Sequence, residues 1–95
     1  MDNQHRKIKG YGELSQADID LMNEIKQLEA SVLAMHARVA QRVGLEFENA
    51  SPEEKSRIQA AEPFRWAAIA KTDLQQGFMA LIRAVAQPMP LEASK

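Results

Sequence analysis

The sequence predicts an all-α fold, and three observations carry that prediction. Leu21, Ile25, Leu28, Val32, Met35 and Val39 recur in alternating steps of four and three, the heptad stripe of a long helix packing lengthwise on others. Ser51-Pro52-Glu53-Glu54 spells a helix start: a capping serine, a proline suited to the first turn, and a glutamate placed to close a capping box. Strand signals are missing, with no sustained period-two alternation and no Asn-Gly or Asp-Gly turn between apolar runs.

Taken in order, the elements form a short N-terminal arm or helix followed by a helical hairpin of long helix, short connecting helix and long helix, within a single domain over 1–95. Residues 1–14 read as a polar, basic arm leading into Gly10-Tyr11-Gly12, where two glycines resist regular helix. Ser15 is a good N-cap, and Asp18 three residues later completes a capping box and favours the positive helix end. The first long helix is expected over 15–43, with Gly44 as its C-terminal stop and a loop from Gly44 to Ala50. The short helix takes 52–61, because Pro63 disfavours a helical Glu62. Pro63 then opens the second long helix, 63–87, and 88–95 is a frayed tail. Ala67, Leu74, Phe78, Leu81 and Val85 form the apolar stripe of that helix, interrupted by Lys71. Ala70, Gly77, Ala80 and Ala84 make a face of small side chains that admits another helix closely, so Gly77 reads as a packing residue.

Composition narrows the function. A chain of 95 residues buries a modest fraction of its surface and is marginal alone, so an oligomer would supply the missing burial. With no cysteine there is neither a disulfide framework nor a thiolate metal site. Twelve basic residues against 13 acidic ones, a net charge of -1, argue against bulk DNA or RNA binding. No apolar run approaches the roughly 20 residues that span a bilayer, and MDNQHRKIK is no signal peptide, so neither membrane nor export is expected. A reducing cytoplasm is the expected location.

Catalytic and metal chemistry find little footing. His5 and His36 lie in different elements without carboxylates at di-metal spacing, so no metal site is expected and His36 reads as a surface or interface histidine. The serines occupy caps or the tail, and no phosphate loop or GxGxxG motif is present. Neither an enzyme nor a cofactor is expected. What remains is a recognition set. His5, Arg6, Lys7 and Lys9 gather charge beside Tyr11, and Lys26 projects from the first long helix. Lysine meets a phosphate as a point charge, tyrosine offers a flat face to a base, and glycines let backbone amides approach. The same residues also suit a solvated tail with Tyr11 stapled to the helix, and a Lys26 that snorkels beside the apolar stripe. Arg65 suits either an anion or a surface salt bridge, and Trp66 an interface or core anchor.

Two stretches carry a family resemblance: HRKIKGYGELSQADIDLMNEIK, from His5 to Lys26, and FRWAAIAKTDLQQGFMALIRAVAQP, from Phe64 to Pro88. In order and spacing they resemble the phage anti-CBASS proteins of the second type, small helical sponges for cyclic oligonucleotides. The resemblance implies a homo-oligomer, a hexamer, in the host cytoplasm. It implies binding of cyclic dinucleotides such as cyclic GMP-AMP between paired protomers, with cyclic trinucleotides in separate pockets. The ligand is held and not cleaved, so the CBASS effector is never activated. It also implies that Tyr11 stacks on a base and Lys26 neutralises a phosphate in the dinucleotide pocket, and that Arg65 serves the trinucleotide pocket. Gly12 departs from the larger polar residue common at that position, which bears on trinucleotide binding most. The rival reading is a helical-hairpin protein–protein interaction module with no nucleotide ligand.

Overall fold

The computed structural model describes residues 14–88, and Tyr11, Gly12 and the basic arm lie outside them. The described residues are helical throughout, without strands: α1 is Gln16–Glu48, α2 is Pro52–Ala61 and α3 is Pro63–Ala86. The all-α hairpin is therefore correct. Compactness divides the chain into two units, Met1–Leu28 with Gly77–Lys95, and Glu29–Gln76.

Each helix start is set by local chemistry. At α1 the Asp18 N–H donates to Ser15 Oγ at 3.1 Å, and the Ser15 N–H donates back to Asp18 Oδ2 at 3.4 Å. This reciprocal box satisfies donors that have no acceptor inside the helix. At α2 the Glu54 N–H donates to Ser51 Oγ at 3.2 Å, with Pro52 opening the first turn and Glu53 and Glu54 favouring its positive end. Glu62 closes α2 in the left-handed conformation, φ 54° and ψ 48°, its N–H reaching the carbonyls of Ile58 and Gln59. Pro63 then begins α3, and the Trp66 N–H donates to the Glu62 carbonyl at 3.1 Å.

The end of α1 corrects the sequence expectation. The helix does not stop at Gly44 with a loop to Ala50 but continues to Glu48. A glycine in a helix interior costs about 1 kcal/mol relative to alanine, too little to end a helix whose next turn packs. Here that turn places Phe47 edge-on to Phe64, with ring centroids 5.8 Å apart and an interplanar angle of 82°. The Asn49 side-chain amide and backbone N–H then both reach the Leu45 carbonyl, and the chain turns into Ser51.

The packing seam of α1 keeps Ile25 and Val32 of the expected stripe but not its other members. Leu21, Leu28, Met35 and Val39 are exposed, Leu28 at 56%. The half-buried positions are Asp18, Met22 and Ile25 in the first unit, and Glu29, Val32, Leu33, His36, Ala40, Val43, Gly44 and Phe47 in the second. In α3, Leu81 is likewise exposed while Ile82, beside Val85, is half-buried. The buried apolar side chains among the described residues are Ile58, 3% exposed, in the second unit and Phe78 in the first. A Cβ added at Gly77 meets nothing within 4 Å, so its small face is not filled by the described residues of this chain.

Two substitutions test this account by urea denaturation. Gly44→Ala is expected to stabilise by about 0.5–1 kcal/mol, because the site is helix interior with open space beyond a new Cβ. Ile58→Ala is expected to cost about 2–5 kcal/mol, as it empties the most buried side chain described. A destabilising Gly44→Ala would mean that α1 ends at Gly44 after all.

Candidate functional site

The described cations sort by what already engages them. Arg57 is committed: its Nε donates to Glu54 Oε1 at 2.6 Å and its Nη2 lies 3.9 Å from Glu46 Oε2. The hydrogen bond that Arg57 donates to Glu54 is the main cause holding its guanidinium above its ordinary range. Lys55 sits with its ammonium 5.4 Å from the Phe47 ring centroid, a cation–π contact at the turn.

Among the described residues Lys26 and Arg65 carry no ion pair, and the same holds for the exposed Arg38, Arg42, Lys71 and Arg83. Lys26 and Arg65 are both exposed as well. Lys26 stands on α1 one turn after the half-buried Met22, in the first unit. The Tyr11 position lies outside the described residues, so the structure does not report on a pairing of Tyr11 with Lys26. Arg65 belongs to the other unit, in the first turn of α3. Instead of forming the surface salt bridge that its position allowed, it lays its guanidinium 5.1 Å from the Trp66 ring centroid. Trp66 is 57% exposed, which excludes it from the core of the described chain.

His36 faces inward rather than out. Its Nε2 lies 2.7 Å from the Ala67 carbonyl, and because a carbonyl only accepts, Nε2 must carry the proton. The ring therefore ties α1 to α3 within the second unit. Its i±3 and i±4 spacing to Val32, Leu33 and Ala40 was the available signal, hidden by the louder stripe one position away.

An open groove of about 870 Å³ runs along α1 toward α2, lined by Met35, Arg38, Val39, Arg42, Leu45 and Ile58 among others. It includes neither Lys26 nor Arg65, so this groove and the sequence-derived cations do not coincide. Among the described residues, no group of three or more His, Cys, Asp or Glu is placed to hold a metal ion. No described helix is long and apolar enough to cross a membrane.

Fold and site together define an all-α hairpin protein that presents unpaired cations to solvent. Its family follows from comparison with known proteins. The model of the Acb2/Tad1 hairpin domain matches residues 3–86, and the chain belongs to that family. It is similar to Anti-CBASS protein 2 of Pseudomonas phage JBD67, 52% identical over an alignment covering 93% of this chain and 97% of the relative. The family resemblance read from the two sequence stretches is thereby borne out.

The histidine tie has a measurable weight. His36→Ala is expected to lower stability by about 1–2 kcal/mol through the lost hydrogen bond and packing. Thermal or urea unfolding checks it, and a change within error would show that the Ala67 carbonyl is equally well satisfied without the ring.

Proposed function

We propose that the chain is a phage anti-CBASS sponge: a non-enzymatic protein that binds and sequesters cyclic dinucleotides such as cyclic GMP-AMP inside the host cell. Cyclic trinucleotides are a second candidate ligand class. The observation that carries the reading is the near-full-length similarity to Anti-CBASS protein 2. Within this reading Lys26 neutralises a phosphate, Tyr11 stacks on a base in the same pocket, and Arg65 serves a separate trinucleotide site. The charges of Lys26 and Arg65 are each available to a ligand without first breaking a bridge, a property they share with Arg38, Arg42, Lys71 and Arg83, so the assignment itself rests on the family resemblance.

Self-assembly completes the proposal. Leu21, Leu28 and Met35 repeat every seven residues on one exposed line of α1. Such a line is what a homo-oligomer, a hexamer in this reading, would cover. The same line is the one feature that favours the rival, a hairpin docking on another protein without any nucleotide.

One experiment decides between them. The full-length protein is melted with and without cyclic GMP-AMP, then denatured, and the released nucleotide is analysed. Native-state binding raises stability by about 2.7 kcal/mol at a hundredfold excess over Kd, and the ligand is expected back intact. Lys26→Ala and Tyr11→Ala are each expected to weaken binding while leaving the oligomer, followed by light scattering, unchanged. Arg65→Ala is expected to spare dinucleotide binding. No melting shift with any cyclic nucleotide would favour the interaction module, and recovery of linear products would make the protein an enzyme.

A further inference from the structure

We draw no further inference here: the strongest candidate, the open groove along α1 toward α2 lined by Met35, Arg38, Val39, Arg42, Leu45 and Ile58, joins at Met35 the exposed line of α1 already read as the self-assembly surface, and nothing in the structure shows what covers it.

Discussion

The Glu62–Pro63 step organises everything around it. Proline disfavours the helical region for the residue before it, so Glu62 cannot simply continue α2 into α3. It takes the left-handed conformation instead, at a cost of roughly 1–2 kcal/mol for a residue with a Cβ. One residue then does two jobs. Its N–H closes the carbonyls of Ile58 and Gln59 at the end of α2, and its carbonyl accepts the Trp66 N–H at the start of α3. The direction taken there sets Phe64 against Phe47, Ala67 against His36, and Arg65 with Trp66 outward. Closure of the hairpin and presentation of Arg65 with Trp66 are therefore consequences of a single backbone constraint.

Burial imposes the second condition. With Ile58 and Phe78 as the buried apolar side chains among the described residues, the chain holds little core of its own. Part of what joins α1 to α3 in the second unit is polar, the His36 hydrogen bond to Ala67, and part is aromatic edge contact. Neither is large, each being worth about 1 kcal/mol. Meanwhile Leu21, Leu28, Met35, Val39, Leu81 and Trp66 remain open. In a chain with so little interior, apolar surface of that extent is the material from which further stability would come through association.

This division explains which features the sequence discloses. Capping is legible because it is local: Ser15 with Asp18, and Ser51 with Glu54, are fixed within three residues, and both boxes form. The helical class is legible because it needs only periodicity. Gly44 misleads because its effect on helix is small beside the packing of Phe47, a contact with Phe64 that no local window contains. The phase of the α1 seam is hidden for a related reason. Hydrophobicity marks every position that some partner will cover, whether in this chain or another, and of the expected stripe Ile25 and Val32 are used within the chain while Leu21, Leu28 and Met35 are not. His36 and Glu29, poor markers of burial, lie on the seam as well. Of the candidate site, Lys26 and Arg65 are legible as charges, but their freedom from ion pairs, and the stacking of Arg65 on Trp66, depend on side-chain placement that spacing does not encode.

The near-neutral charge acquires a different meaning in this light. A net charge of -1 gives no long-range field to gather a polyanion, which argues against nucleic acid as a general partner. It does not argue against a small anion, whose binding depends on the few charges within a Debye length, about 8 Å at physiological salt. At that scale the chain is uneven. Arg57 is held by Glu54 and Glu46, whereas Lys26, Arg38, Arg42, Arg65, Lys71 and Arg83 stand without ion-pair partners among the described residues. Compact, base-bearing anions are the ligands that such a distribution favours over long ones, because affinity then rests on a local cation and an aromatic face rather than on summed phosphate contacts. Under the proposed sponge role, holding a signalling nucleotide amid abundant RNA and DNA would require that preference. Here it would follow from balancing the total charge while leaving most of the described cations unpaired.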